Sequence, residues 1–423
     1  MVLPKAQQIT PIHYALANGL SVILYQDKSK PIISLSVLYH VGSKNDPSKR
    51  KGFAHFFEHL MFEGSENIKR GEFDYHIFSN GGSLNAYTTK DYTFYYESLP
   101  SNGLELALWL ESERMLHAKV DKISIDTQRE VVKEEKRQNY DNTPYKLGAY
   151  KKSYELLFNK HPYSYLGIGS MEDLDQANEV DYIDFYKTFY VPNNATLTLC
   201  GDFDIKQAKK FIELYFSSIP KGTSIISRPS IKADPIKQEI SYTYEDVNAG
   251  VPALILSFMG AKIKQKEAYA LNIIARLLGR GQKALLIKSL INEKELASSI
   301  DVYHWPMEDH GIFQIMALSN KKTSLDEIKE AIEEEIEKIK KGLTTQKQLD
   351  KQILFYEKQM LMHRSLNSIN NKLANYHVFY KDINLINSIL DEYKKITLED
   401  IKKTAIKYLD KNKRVSLYNL PKK

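Results

Sequence analysis

This chain of 423 residues has little cysteine, no long apolar run and no recognisable export signal, and each absence limits the kind of protein it can be. It has one cysteine, Cys200, which excludes an intrachain disulfide framework. Its apolar runs fall far short of the ~20 residues that a membrane span needs, so we expect no transmembrane helix. The N-terminus lacks a charged segment followed by an apolar one. We therefore expect a cytoplasmic location for the chain as written, or a periplasmic one if an export signal precedes it.

Charge of one sign is not concentrated in any part of the sequence. The chain has 59 Lys and Arg residues against 53 Asp and Glu residues, which gives a net charge of +6. Because the lysines are spread along the chain, they indicate a solvated surface, and we expect no nucleic-acid partner. A chain of this length and ordinary hydrophobic content is expected to form two globular domains.

The hydrophobic pattern predicts alternating helices and strands. A Pro- and Gly-containing stretch after Pro220 is typical of a linker, and the plan of the first half recurs loosely beyond it. We therefore predict an α+β fold with two homologous domains, each a mainly antiparallel sheet packed with helices. The predicted bounds are 1–220 for the first domain, 221–240 for the linker and 241–423 for the second domain.

One motif carries recognisable chemistry, the H-x-x-E-H of GFAHFFEHLMFEGS. On a helix, His55, Glu58 and His59 project from the same face. Two imidazoles one turn apart can hold a metal ion, and a neighbouring carboxylate can accept the proton of an activated water. The opposite face is apolar and would bury the helix. The simpler alternative is a pair of core histidines beside a solvated glutamate.

A metal site needs a third ligand, and the helix predicted near residues 124–139 offers three candidates, Glu130, Glu134 and Glu135. Helical periodicity places Glu135 in one stripe with Gln128, Val131 and Val132, which predicts that it lies on the apolar, buried face of the helix. The other two glutamates point away from that stripe and are interpreted as surface charges. An unpaired buried carboxylate is costly, so Glu135 requires a metal ion or, as the alternative, a buried salt bridge.

At this point the motifs resemble a known family. The H-x-x-E-H motif, followed 76 positions after its second histidine by Glu135 in QREVVKEEKRQ, is similar to the inverted-zincin metallopeptidases of the pitrilysin clan (family M16). LNAYTTKDYTFYYESLP and YVPNNATLTLCGDFD resemble its short bacterial members, which in turn resemble the β subunit of mitochondrial processing peptidase. The likeness covers nearly the whole chain.

The resemblance implies roles for particular residues. His55, His59 and Glu135 would bind zinc, and Glu58 would act as the general base in hydrolysis of a peptide bond. A glutamate that orients a ligand commonly sits seven residues before the ligand glutamate, and Gln128 takes that position here. The family's substrate lies as an added strand along a sheet edge; the segment implied here comprises Gly82, Ser83, Leu84, Asn85 and Ala86. On the sequence alone, an ordinary edge strand closed by a Gly turn is nearly as good an interpretation.

The sequence departs from the family pattern at the groups that stabilise the oxyanion. Self-sufficient relatives carry an arginine and, seven residues later, a tyrosine in the second half, where this chain has Ile291 and Ser298. Arg280 and Tyr303 are nearby but wrongly spaced. Because some relatives pair a zinc-bearing subunit with a zinc-free paralogue, we predict a heterodimer that closes a clam-shell chamber around short or unfolded peptides.

Three other functions are compatible with parts of the pattern. The chain could be a self-sufficient homodimeric peptidase, or a non-catalytic structural subunit of similar fold, although such subunits usually have eroded motifs. A lyase with H-x-x-E-H and a catalytic cysteine is disfavoured because Cys200 lies in a predicted buried strand. The helix that matches the metal helix in the second half, 272–276, has no ligand residues, so one metal site per chain is expected.

Overall fold

The computed structural model describes residues 8–422 apart from positions 48, 224, 225, 227, 229, 230, 321, 322 and 363. The strands are β1 Ile12–Ala15, β2 Ser21–Gln26, β3 Ile32–Tyr39, β4 Ser83–Thr88, β5 Thr93–Pro100, β6 Ala195–Gly201, β7 Ile240–Asp246, β8 Ala253–Gly260, β9 Ala297–Trp305, β10 Gly311–Ser319 and β11 Arg414–Pro421.

The helices lie between and around these strands. The α-helices are α1 Phe53–Leu60, α2 Glu72–Ser79, α3 Leu104–His117, α4 Lys122–Lys136, α5 Ser153–Phe158, α6 Met171–Gln176, α7 Glu179–Phe189, α8 Ile205–Phe216, α9 Lys266–Gly279, α10 Leu325–Lys340, α11 Gln346–Met362, α12 Leu366–Asn375, α13 Leu385–Lys394 and α14 Leu398–Tyr408. Short 3-10 helices span Ser43–Asn45, Ser101–Gly103, Pro162–Ser164 and Pro192–Asn194, and π-helical turns span Arg137–Asp141, Leu147–Lys152, Ile287–Glu293 and Tyr376–Tyr380. Within the described ranges, no helix is both long and apolar enough to cross a membrane.

The strands form two sheets with the same plan. The first has the order β1-β2-β6-β3-β5-β4, and the second has the order β7-β11-β8-β10-β9. In each sheet the chain's late strand, β6 or β11, pairs in parallel with an early strand and antiparallel with the next. Leaving β1 aside, the two orders are superimposable, so the predicted α+β fold with a duplicated sheet-and-helix unit is confirmed.

The compact units do not follow one cut along the chain. The first unit comprises residues 1–134, 167–228 and 361–388, and the second comprises 135–166, 229–360 and 389–423. The predicted division at 220 therefore differs from the units in two segments: 135–166 belongs to the second unit, and 361–388 belongs to the first. The reason is packing, since α5 packs on strands of the second sheet and α12 on strands of the first. The described residues between 221 and 239 lie in no helix or strand, and Ile240, the last residue of the predicted linker, begins β7. Positions 224, 225, 227, 229 and 230 of the predicted linker lie outside the described residues.

The first exchanged segment, 135–166, begins inside a helix. The boundary follows Glu134, whereas α4 continues to Lys136, so Glu135 is positioned by a helix that belongs mainly to the first unit. The second exchange adds α12 to the first unit, where it packs on β3 and β6. Sequence periodicity reports which face of a helix is buried but not which sheet buries it, so neither exchange was predictable.

Asn370 anchors α12 to the first sheet. It is 1% exposed, and its Nδ2 donates to Ser34 O at 2.9 Å and to Thr198 O at 2.8 Å. We expect Asn370→Leu to lower the free energy of unfolding by about 3 kcal/mol, because buried acceptors lose their donor. Chemical denaturation measures this, with exposed Asn367→Leu as the control expected to change little. Equal losses in both variants would contradict the anchoring role.

The segment 361–388 also contains His377, through which we predict that the stability of the fold depends on pH. Its Nε2 lies 3.0 Å from Ser21 Oγ and its ring centroid 4.5 Å from that of His13. Burial, His13 and Lys381 lower the pKa of His377 to about 4. The folded chain thus binds fewer protons than the unfolded chain between pH 4 and 6.5, so stability falls as the pH drops through that window.

Because His377 is partly solvated, we expect a loss of about 1–2 kcal/mol across this window. Denaturation of the wild type and His377→Gln at pH 7 and pH 4.5 measures the difference. The variant should show a smaller loss on acidification, and an unchanged loss would contradict the assignment.

Candidate metal centre

The H-x-x-E-H helix is α1, and its first turn is fixed by residues upstream. Gly52 at its start has φ +98°, and a Cβ there would meet Ile168 O at 2.7 Å, so glycine is required. Both oxygens of Asp46 accept from this turn, Oδ2 from Gly52 N at 2.6 Å and Oδ1 from Ala54 N at 2.9 Å. The carboxylate satisfies helix N–H groups and complements the positive end of the helix dipole.

The apolar face of α1 is buried as its pattern predicts, including Ala54, Phe57, Leu60 and Met61. Phe57 packs against the aromatic rings of α7, with its ring centroid 5.4 Å from that of Phe185 and 5.1 Å from that of Tyr190. This packing holds the opposite face, with the two histidines and Glu58, at the half-buried surface.

That face meets the C-terminal end of α4. His55, His59 and Glu135 each offer one ligand atom, and these atoms all lie within 4.8 Å of one another. The imidazole centroids are 4.9 Å apart. All three residues are half-buried. In the described part of the chain, they are the one group of three or more His, Cys, Asp or Glu residues with this geometry.

The periodicity interpretation of α4 was right for two glutamates and wrong for one valine. Glu130 and Glu134 are exposed, as expected, whereas Glu135 is half-buried rather than buried. Val132 is completely buried, but Val131 is 45% exposed. Successive helical residues are ~100° apart, and the buried side of α4 is centred near Val132, so Val131 falls outside it.

The donor set fits zinc. Two imidazole nitrogens and one carboxylate oxygen leave a fourth position open, which is the pattern of catalytic rather than structural zinc sites. Ligand atoms about 2.1 Å from a tetrahedral ion lie about 3.4 Å apart, so the observed separations need only small side-chain rotations. Asn139 Nδ2 donates to Glu135 Oε1 at 3.3 Å and thereby restricts the carboxylate.

Glu58 is held by the hairpin of β4 and β5. Thr88 Oγ1, at the end of β4, donates to Glu58 Oε2 at 2.6 Å. The hydroxyl also lies 3.4 Å from Ala54 O and from Thr93 Oγ1. A carboxylate on the ligand face, fixed by a single short hydrogen bond, is suited to accept a proton from water.

Gln128, two turns before Glu135, does not bind a ligand residue in any described hydrogen bond. Its Nε2 donates to Glu63 Oε1 at 2.6 Å. Its Oε1 is buried and has no hydrogen-bond partner among the described residues, so it can accept a further donor. Glu63 is 4% exposed, and sequence reasoning missed it although it lies one turn beyond His59.

The predicted substrate segment lies at a sheet edge. β4 is the last strand of the first sheet and pairs with β5 from Ser83↔Ser98 to Thr88↔Thr93. Asn85 is exposed, and its Oδ1 accepts from Ala86 N at 2.8 Å. An added strand would need that amide, so Asn85 must rotate before Ala86 can bind a peptide backbone. Gly82 to Ala86 thus have the position, but not yet the geometry, of a peptide clamp.

Among its described residues, the second half offers neither a second metal site nor the missing oxyanion donors at the expected positions. In α9, Asn272 Oδ1 lies 2.8 Å from His304 Nδ1, and Arg276 Nε donates to Gln352 Oε1 at 3.2 Å. Ile291 packs against the core, and Ser298 is exposed in β9.

The two wrongly spaced alternatives have other partners. Arg280 Nη2 lies 2.9 Å from Asp301 Oδ1. Tyr303 Oη donates to Gln314 Oε1 at 2.7 Å, and burial raises the pKa of Tyr303. Neither side chain is therefore placed as a ready oxyanion donor.

Comparison with known proteins places this geometry in a family. Residues 21–163 match the model for insulinase (peptidase family M16), and residues 180–354 match that for the peptidase M16 inactive domain. Together the two models span most of the chain, which belongs to peptidase family M16. The region matched as the inactive domain contains none of His55, Glu58, His59 and Glu135.

Individual relatives are similar over most of the chain. The zinc protease PqqE of Helicobacter pylori is 28% identical over 424 residues, covering 99% of this chain and 94% of that protein. The mitochondrial-processing peptidase subunit beta of Blastocladiella emersonii is 22% identical, covering 74% and 68%. The crystal structure of a protease from Helicobacter pylori has a TM-score of 0.93 at 26% identity, covering 98% of this chain and all of that one.

Proposed function

We propose that this chain is a zinc-dependent endopeptidase acting on short or unfolded peptides, and that it is the zinc-bearing subunit of a heterodimer. The observation that carries the proposal is the convergence of His55, His59 and Glu135 within 4.8 Å, beside a glutamate held by Thr88 at 2.6 Å. The names of the relatives, zinc protease and processing peptidase, support the same chemistry. The cytoplasmic location stays a prediction.

The chain's own residues then have separate tasks. Zinc would supply Lewis acidity, lowering the pKa of water and polarising the scissile carbonyl. Glu58 accepts the proton of the attacking water and returns a proton to the leaving amine. The edge of β4 would align the peptide as an added strand, which places one peptide bond at Glu58 and leaves side-chain preference to neighbouring pockets.

A partner would complete the site. The oxyanion formed during hydrolysis needs a donor besides the metal, because such a donor contributes ~10²–10³-fold to the rate. Ile291 is aliphatic and has no side-chain donor. Ser298 has only a short hydroxyl, which donates to Leu318 O at 3.4 Å and does not replace the longer arginine and tyrosine side chains. A zinc-free paralogue that carries the arginine and tyrosine would supply the donors.

Three alternatives receive less support. Cys200 is completely buried in β6, and burial raises the pKa of its thiol, which opposes a thiolate-dependent lyase. A non-catalytic structural subunit would not need Glu58 to be positioned beside three ligands. A self-sufficient homodimer would need a different oxyanion donor.

The direct test is cleavage of a mixture of unstructured peptides, followed by mass spectrometry. We expect cleavage by the zinc-loaded chain combined with a zinc-free paralogue from the same genome, loss of cleavage on chelation, and recovery with added zinc. Full activity of the isolated chain would refute the partner requirement. No cleavage in any combination, with zinc bound, would refute the peptidase assignment.

Thr88 provides a sharper test of how Glu58 is held. We expect Thr88→Val to lower kcat about 10–100-fold, the value of one hydrogen bond to a charged group, while KM and zinc content stay unchanged. Steady-state kinetics measure this, and Thr88→Ser, which keeps the hydroxyl, is the control. A change in KM alone, or failure of the serine variant to retain activity, would assign Thr88 a structural role only.

A further inference from the structure

A partly buried hydrogen bond joins the segment after the histidine helix to the helix of the third ligand. Glu63 lies three residues beyond α1 and is 4% exposed. Its Oε1 accepts from Gln128 Nε2 of α4 at 2.6 Å. Glu63 is not a member of the candidate ligand set, and the hydrolytic mechanism gives it no task.

The charges around the hydrogen bond between Glu63 and Gln128 explain why one partner is an acid and the other an amide. Arg70 Nε lies 3.0 Å from Glu63 Oε2, but the Arg70 side chain is 54% exposed, so solvent screens the pair. The amide of Gln128 therefore provides the hydrogen-bond donor that a carboxylate shielded from water requires. A glutamate at position 128 would instead place two carboxylates at hydrogen-bond distance. The pair is thus matched: an acid just beyond the end of α1 and an amide in the middle of α4.

The bond spans the same two elements as the ligands. Gln128 precedes Glu135 by seven residues on one continuous helix, hence on nearly the same side and about 10 Å along its axis. Glu63 follows His59 by four residues. A change in the distance or angle between α1 and α4 at this bond would therefore displace Glu135 relative to the histidines.

We propose that Glu63 is a positioning residue for the metal centre. Through Gln128 it fixes α4 against the end of α1, so that Glu135 is preorganised relative to His55 and His59 before an ion binds. This inference rests on the proposed zinc site. Because metal affinity depends on ligand placement to within a fraction of an ångström, residues outside the ligand set contribute strongly to it.

Zinc affinity of the full-length chain, measured by competition with a chromophoric chelator, tests the proposal. We expect Glu63→Ala and Gln128→Ala each to weaken zinc binding about 10–100-fold. The double variant should lose no more than either single variant, because both remove the same bond. Glu63→Gln, which can still accept from Gln128, should lose less. The Co²⁺-loaded variants should show altered d–d absorption, since ligand placement changes.

Glu113→Gln is the matched control. Glu113 is 8% exposed and accepts from Ser65 Oγ at 2.7 Å and from Asn67 Nδ2, so it is a buried acid in the same unit whose described hydrogen bonds do not reach α4. Its zinc affinity should match that of the wild type. Lower thermal stability of the Glu63 and Gln128 variants with unchanged zinc affinity, or additive losses in the double variant, would overturn the proposal. A wild type that binds no zinc would overturn the zinc site itself.

Discussion

Glu58→Gln is expected to lower peptide cleavage about 10²–10⁴-fold while zinc stays bound, because the amide cannot accept a proton from water. Gln has the same shape and can still accept the hydrogen bond that Thr88 donates at 2.6 Å. The loss should therefore appear in kcat rather than in KM. Peptide kinetics together with elemental analysis for zinc measure both quantities on one preparation, reconstituted with the proposed zinc-free paralogue.

The matched control for this substitution is Glu66→Gln. Glu66 lies in the segment that follows α1. Its side chain is 72% exposed, and its Oε2 is 3.0 Å from His117 Nδ1. It should retain full activity. If Glu58→Gln cleaves as fast as the wild type, another group is the base; if it loses zinc as well as activity, Glu58 has a ligand role that the geometry does not assign to it.

Removal of a ligand should have the second large effect. In structural zinc sites with four protein ligands, a binding free energy of about 10–16 kcal/mol corresponds to about 3 kcal/mol per ligand, so His59→Ala should weaken zinc binding on the order of 10²–10³-fold. Glu135→Gln should be similarly affected. Glu134→Gln, next to it on the exposed side of α4, should bind zinc as the wild type does. Chelator competition measures all three affinities.

The contrast between Glu134 and Glu135 is the decisive part of this prediction. The two glutamates have the same charge and neighbouring positions, and they differ in that only Glu135 approaches the histidines within 4.8 Å. Equal losses in both variants would mean that the effect is long-range electrostatics. A loss confined to Glu134→Gln would show that α4 is rotated relative to the described structure.

Local sequence patterns predicted the parts of this site that are arranged with the periodicity of a helix. The spacing of His55 and His59 placed both on one face of α1, and helical phase singled out Glu135 from its neighbours. The internal duplication and the edge position of β4 also followed from the order of elements and from the resemblance. In each case the information lies within a few residues or in the repetition of a plan.

The supporting contacts could not be predicted because they join residues that no period relates. Asp46 caps α1 from six residues before Gly52, and Thr88 reaches Glu58 from a hairpin 30 residues away. Glu63 had a signal, its position one turn beyond His59, but its partner on α4 is 65 residues away. The exposure of Val131 was mispredicted because adjacent helical residues point ~100° apart. With Val132 completely buried, Val131 falls outside the buried side of α4.

The location of the metal is the most direct test of the whole interpretation. Crystals of the chain grown with one equivalent of zinc, measured above and below the zinc absorption edge, would show each zinc ion as an anomalous peak. We predict one peak per chain, about 2.0–2.2 Å from one nitrogen each of His55 and His59 and from a carboxylate oxygen of Glu135. A peak elsewhere, or no peak at these side chains under saturating zinc, would contradict the assignment of a zinc peptidase.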